Sequence, residues 1–261
     1  MPDDSLDMAK KEIALLTDRL QVRVLPGVPR KGDDTLKVNL ISSSGSDVTV
    51  VNAARVSFDK ESEWDTEEFK DNVSKLYTKD RKLIQYLARH NHFTPFTHCT
   101  ITLRETVPLF VARQRFKHTI GFSYNEMSRR YVDSLPEFYS PEVWRGKPLN
   151  SKQGSSNQVI DISKPDKNHM NEYEKALKYC TRTYKHLLSL GVCPEQARMV
   201  LPQSMYTSYY VTGSLYAFAR AYSLRSSADA QQEIRELAKE WDTIITKLFP
   251  YSWNCLTKGE G

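Results

Sequence analysis

The side chains best suited to chemistry crowd into one stretch, PLFVARQRFKHTIGFSYNEMSRRY, from Pro108 to Tyr131. Its first part reads as a helix, Leu109 to His118, with Pro108 suited to a first turn. At 100° per residue, Arg113, Gln114, Lys117 and His118 fall within one half of that helix, while Arg115 points elsewhere. Two cations, an amide and an imidazole on one face suit the grip of a phosphate and the reading of a base edge. A solvated polar face has the same pattern. The residues beyond the helix shift the balance. Ser123, Asn125, Glu126, Ser128, Arg129 and Arg130 lie among aromatics in a stretch with neither helical nor strand period, and functional groups collect on such loops. Between Arg113 and Arg130 stand five cations (Arg113, Arg115, Lys117, Arg129, Arg130) and one acid, Glu126, which is +4 of a net charge of +5. That focus points to an anionic ligand, either phosphate or nucleic acid.

The elements that must position this stretch are read from the rest of the 261 residues. Composition is 39% hydrophobic and 26% charged, that of a folded globular protein large enough to bury a core. No apolar run approaches the ~20 residues of a membrane span, and the polar, acidic start shows no secretory signal. Cys99, Cys180, Cys193 and Cys255 are scattered with no C-x-x-C pair, which suits reduced thiols and a cytoplasmic protein. Residues 1–36 read as a polar arm, with a helical stretch expected around Ala9 to Leu20. Asp59–Asp71 and residues 145–168 read as surface excursions. Lys37–Ile41 and Val48–Ala53 read as strands, Asp80–His90 as a helix, and Cys99, Ile101 and Leu103 as one face of a strand. Glu172–Leu190, a short piece from Pro194 to Leu201, and Ser214–Leu224 read as helices. Ser226 with Asp229 resembles a capping box opening a long helix through Trp241. Strands early and helices late predict an α+β fold, a mainly antiparallel sheet with a helical C-terminal part, in a single domain over residues 37–256.

The segment FVARQRFKHTIGFSYNEMSRRY resembles the signature region of the flavin-dependent thymidylate synthases, an R-H-R triplet, seven residues, then Ser. AARVSF (Ala53–Phe58), HNHFTPFTH (His90–His98), ARMVLP (Ala197–Pro202) and SLRSSADAQ (Ser223–Gln231) match further family blocks in order. The similarity spans roughly residues 37 to 256 and leaves the arm and the two excursions unmatched. This chain departs at the triplet, which is Lys117-His118-Thr119 with one extra residue before Ser128. It departs again at Ser214 and Tyr216, where better-known members carry Asn and Arg.

The resemblance implies reductive methylation of dUMP to dTMP, with 5,10-methylenetetrahydrofolate as one-carbon donor, FAD as mediator and NADPH as reductant. It implies a homotetramer whose active sites are shared between subunits, with no nucleic-acid or membrane partner. Carried over by position, dUMP falls to Gln114, Arg115, Phe116 and Lys117, to Glu126, Met127, Ser128, Arg129 and Arg130, and to Arg198 from another subunit. Arg225 is the implied catalytic residue, activating the uracil ring. FAD falls to Ser57, His92 and Thr94, to Lys117, His118 and Thr119, and to Glu126. Its later segment is Ser214, Leu215, Tyr216 and Arg220.

Residue chemistry stands beside these roles. Uracil C5 is a poor nucleophile, so an enzyme adds a thiolate at C6 or polarises the ring. The folate-only thymidylate synthases take the first route with a Cys beside Pro and His, a context that does not occur here; the second needs fixed positive charge, which the resemblance assigns to Arg225. Arg225 precedes the Ser226 cap, so helix N–H groups and a guanidinium are expected to converge on one anion. Ser128 is the rival nucleophile, without a dedicated base to activate it. His90, His92 and His98 have metal-like spacing but no accompanying Cys or carboxylate cluster, so no metal is expected. The main rival from another class is a single-strand nucleic-acid groove built on Phe116, Phe122, Tyr124 and Tyr131. A near-neutral remainder and the lack of a recognised binding motif weigh against it.

Overall fold

A computed structural model describes residues 36–65, 76–132, 134–149, 154–162 and 171–259. Residues 1–35 of the polar arm, the end of the acidic excursion (66–71) and parts of the second one (150–153 and 163–168) lie outside them. The core is a four-stranded antiparallel sheet in the order β1-β2-β6-β3, from β1 (Lys37–Ser44), β2 (Thr100–Pro108), β3 (Phe122–Glu126) and β6 (Tyr206–Ser214). A two-stranded ribbon, β4 (Trp144–Arg145) and β5 (Val159–Ile160), lies in the second excursion. Helices α1 (Asp47–Arg55), α2 (Thr78–Arg89), α3 (Thr94–Thr97) and α4 (Leu109–Arg115) fall in the first half. Later come α5 (Glu172–Ser189), α6 (Pro194–Ala197), α7 (Leu215–Arg225), α8 (Gln232–Leu248) and α9 (Pro250–Thr257). The α+β expectation holds.

One sheet face carries Ile101, Leu103, Val107, Tyr209 and Val211, all buried, against Leu215 and Phe218 of α7 and Ile234, Leu237, Trp241 and Ile245 of α8. The other face is polar. There the Thr102 and Thr212 hydroxyls meet at 2.9 Å and Arg104 Nε donates to Ser208 Oγ at 3.1 Å. An antiparallel sheet tolerates this division of faces.

Several local expectations are corrected. Val48–Ala53 is not a strand but the body of α1. Ser46 caps it, exchanging bonds with Thr49 in a capping box, and this local chemistry outweighs the β-branched run of Val48, Thr49, Val50 and Val51. The signature stretch read as a loop contains β3. Ser226 opens no helix: it closes α7, and α8 begins at Gln232 without a side-chain cap. The signature helix ends at Arg115 rather than His118. The central strand β6, YTSYYVTGS, was not anticipated, because tyrosines on both faces blur its alternation.

Candidate functional site

Helix α4 delivers the first functional groups, and its core-facing residue is Arg115. This side chain is fully buried, with Nε 3.3 Å from Glu105 Oε2 and Nη1 donating to the Tyr124 hydroxyl at 2.6 Å. The rings of Phe122 and Trp241 lie 4.3 and 4.6 Å from the guanidinium carbon. Glu105 also accepts from the Tyr209 hydroxyl at 2.5 Å and from the Trp241 indole at 2.9 Å. Three donors on one carboxylate are what makes a buried charge pair tolerable. Arg115, implied as a dUMP contact, therefore turns its guanidinium into the core, with Nε and Nη1 bonded there. Phe116 packs beside it against Tyr124 and Tyr209.

From this anchor the chain turns through Lys117 and Thr119, both exposed, and His118, half-buried. The Tyr124 hydroxyl donates to the His118 carbonyl at 2.7 Å. Gly121 then takes φ +79°, and a Cβ there would sit 2.9 Å from Ala217 Cβ. Only glycine meets both demands. Strand β3 follows, with the Phe122 ring lying on Gly213 so closely that a Cβ at Gly213 would fall 2.4 Å from it.

Arg225, in the last turn of α7, meets this turn. Its Nε lies 2.8 Å from His118 Nε2, and its Nη2 donates to the Gln114 carbonyl at 3.3 Å. The Gln114 amide donates to Gln231 Oε1 at 2.6 Å. Burial, then the positive charges of Arg225, Arg115 and Arg220, push the His118 pKa down from 6.5 to about 4. Gln114, Arg225, Gln231 and Arg235 line a cavity of about 900 Å³ that Arg145 and Ser155 of the second excursion help to enclose. That volume is typical of a ligand site.

A second grouping forms at the far end of β3, roughly 13 Å along the strand at about 3.3 Å per residue. Arg130 Nη1 pairs with Glu195 Oε1 at 3.1 Å, and its backbone N–H and Nε reach Ser128 Oγ at 3.3 and 3.4 Å. Arg198 Nε donates to the Glu195 carbonyl at 3.3 Å. Arg130 and Arg198 thus both bond Glu195 of their own chain, the first at its carboxylate and the second at its carbonyl. Arg129 is buried and donates to the Ser134 carbonyl, its pKa lowered by that burial. Glu126 accepts from the Thr207 hydroxyl at 2.6 Å, and Met127 N–H bonds the Ser208 carbonyl.

The third grouping gathers Ser57, His92 and Thr94 with Ala53, Asn91 and Phe93 around a pocket of about 280 Å³. Phe93 stacks on Tyr216 with ring centroids 5.2 Å apart and planes at 24°. Tyr216 leads α7 beside Ser214, which caps the helix at the Ala217 N–H. Leu215 is buried beneath, and Arg220 is exposed one turn on. His90 and His92 contact each other and Tyr86 through their rings. Among the described residues no cluster of three potential metal ligands exists.

Similarity to known proteins decides among the readings left open. The family model described as "Thymidylate synthase complementing protein" matches residues 39–251. The chain belongs to the flavin-dependent thymidylate synthases. The Thermosipho africanus member of that name is 34% identical over 221 residues, 85% of this chain and 90% of that protein. The Thermus thermophilus member is 34% identical over 216 residues, 83% and 73%. A solved UMP/dUMP methylase, PolB from Streptomyces cacaoi bound with 5-Br UMP, superposes with a TM-score of 0.66 at 30% identity, covering 84% of this chain and 92% of that one.

For a flavin-dependent thymidylate synthase the thiols are telling. All four cysteines are free. Burial, reinforced by Asp47, pushes the Cys99 thiol up to about 12, and Cys255 is raised for the same reasons. An attacking thiolate needs the opposite shift. Reading from sequence overlooked Gln231, Phe93 and Glu195. The first two lie inside matched family blocks, whereas Glu195 gave no signal until the fold brought it to Arg130. Among the described residues, no helix is long and apolar enough to cross a membrane.

Proposed function

We propose that this chain converts dUMP to dTMP, with FAD as its flavin, 5,10-methylenetetrahydrofolate as one-carbon donor and NADPH as reductant. The observation that carries this reading is Arg225. A guanidinium has five N–H donors and no acceptor. Two of Arg225's go to His118 and the Gln114 carbonyl, which fixes its plane and leaves the others for the cavity. Fixed donors directed at a carbonyl oxygen that becomes anionic would polarise uracil without a thiol. Arg130, Arg198 and Ser128 supply charge and a hydroxyl for the phosphate, which carries close to two negative charges at pH 7.

The third grouping fits a flavin: Ser57, His92 and Thr94 offer polar contacts at a pocket whose wall continues into a stacked Phe93–Tyr216 pair, on which a planar ring system can extend the stack. When bound, the flavin would supply the redox and one-carbon chemistry, while the residues orient the rings and exclude water. The departures from the family pattern suit this arrangement, Tyr216 adding an aromatic surface and Arg220 an exposed cation one turn on. We further propose a homotetramer that joins the Arg225 grouping of one chain to the Arg130–Arg198 grouping of another, and no nucleic-acid partner.

The test is tritium release from C5-labelled dUMP, requiring FAD, NADPH and methylenetetrahydrofolate together, with labelled UMP in parallel because PolB is named for both nucleotides. Release only with the complete set, and faster with dUMP, is expected. A chain that takes up no flavin at saturating FAD, or releases no tritium, would overturn the reading.

A further inference from the structure

The contact between Arg225 and His118 determines more than a distance. Arginine nitrogens at neutral pH only donate. With Arg225 Nε 2.8 Å from His118 Nε2, the imidazole nitrogen must be the acceptor, so it carries a lone pair. The ring is then neutral and its single proton resides on Nδ1. The partner's chemistry, rather than a guess at the ring, assigns this tautomer.

The surroundings hold the ring in that form. His118 is tethered through its backbone: its carbonyl accepts from the Tyr124 hydroxyl, which in turn accepts from buried Arg115. The charged groups acting on it are Arg225 and Arg220 from α7 and Arg115 from α4, all cations. Burial and these charges oppose a second proton. A protonated ring would also lose its acceptor and face the Arg225 guanidinium as a like charge.

We infer that His118 is a positioning residue, whose neutral Nδ1–H tautomer fixes the guanidinium plane of Arg225 so that the unused donors face the cavity. This rests on the role proposed for Arg225 and adds to the flavin contact that family resemblance gives His118. The buried Glu105–Arg115–Tyr124 chain is what keeps the ring in register. His118 thereby links the core to the site.

Two measurements on the FAD-loaded protein test this. In histidine-selective 15N NMR, with His118→Gln identifying the signal, His118 should stay in the Nδ1–H neutral form between about pH 5 and 8. A ring protonated on Nε2, or one that becomes imidazolium near its ordinary pKa, overturns the inference. In the kinetic arm, His118→Phe removes the acceptor, while His118→Gln returns an oxygen near the position of Nε2. With flavin absorbance and fold retained, kcat should fall on the order of 100-fold in His118→Phe, the usual result of an ångström-scale misplacement. In His118→Gln most of it should return. Equal loss in both variants, or undiminished turnover in His118→Phe, overturns the positioning role. If the phenylalanine variant fails to fold or to bind FAD, the tautomer measurement decides alone. The tautomer is read without turnover, so a wild-type protein that made no dTMP would sink the proposed function and leave this result standing.

Discussion

Arg225 ends α7 where the helix dipole favours a cation, yet a histidine and a carbonyl hold its guanidinium aside from the helix end. Arg225→Ala should therefore keep its circular dichroism and its flavin while losing nearly all turnover. Removal of one such donor in other enzymes costs about 2.7–4 kcal/mol of transition-state stabilisation. Near wild-type tritium release from the variant would remove Arg225 from the mechanism. Its partner leaves a mark on stability. The His118 pKa is about 4 in the folded chain against an ordinary 6.5. Between those values the unfolded chain binds a proton that the folded chain refuses, so stability is full above about 6.5 and falls as pH drops toward 4. The urea midpoint of the wild type should thus fall more between pH 7 and pH 5 than that of His118→Gln; equal falls would contradict the depressed pKa. At this scale family blocks and residue chemistry both single out Gln114, His118 and Arg225, and the fold brings these three together. At Arg115 helical geometry already turned the residue away from the polar face, and the fold adds the partner on which it is buried, Glu105.

Strand β2 carries Glu105 on its core face, directly beneath α4, and this one carboxylate ties β2, β6, α4 and α8 together through Arg115, Tyr209 and Trp241. Glu105→Gln should destabilise the chain by about 3–5 kcal/mol, because it strands the Arg115 charge and turns amide N–H groups toward donors. Urea denaturation followed by tryptophan fluorescence measures this, and a loss under about 1 kcal/mol would mean that the pair is not the brace described. Element reading from sequence succeeded where one signal dominated, as in Asp80–His90 and Glu172–Leu190, whose apolar stripes match α2 and α5. It failed where two signals competed. In α1 the Ser46 capping box defeats β-branched propensity. In β3 the alternation of Phe122 and Tyr124 with Ser123 and Asn125 is only five residues long and was hidden among functional side chains. In β6 the exposed Tyr210 stands beside the buried Tyr209, so the residue type says nothing of the face.

At the scale of the whole molecule, the two cationic groupings at opposite ends of β3 make the shared-site assembly testable. If one site takes Arg225 from one chain and Arg130 with Arg198 from another, co-expressed Arg225→Ala and Arg130→Ala chains should form mixed assemblies with some intact sites and partial activity. Co-expressed Arg130→Ala and Arg198→Ala chains should recover none, because both residues belong to the grouping around Glu195. Failure of both mixtures, with mixed assemblies verified by mass spectrometry, would show that a site is built from one chain, and recovery in both would separate Arg130 from Arg198. The α+β class was legible from the order of elements, but the sheet's centre was not, since β6 comes late in the chain. That lateness has a consequence for how the protein is made. β2 ends at Pro108 and β3 at Glu126, yet the strand that lies between them begins at Tyr206. A ribosome releases both with an open edge, and pairing waits for a distant segment, the kind of topology that folds slowly and exposes strand edges meanwhile. Arg225 and the Gln231 that bonds Gln114 emerge later still, so the cavity where the chemistry is proposed is among the last parts of the chain to close.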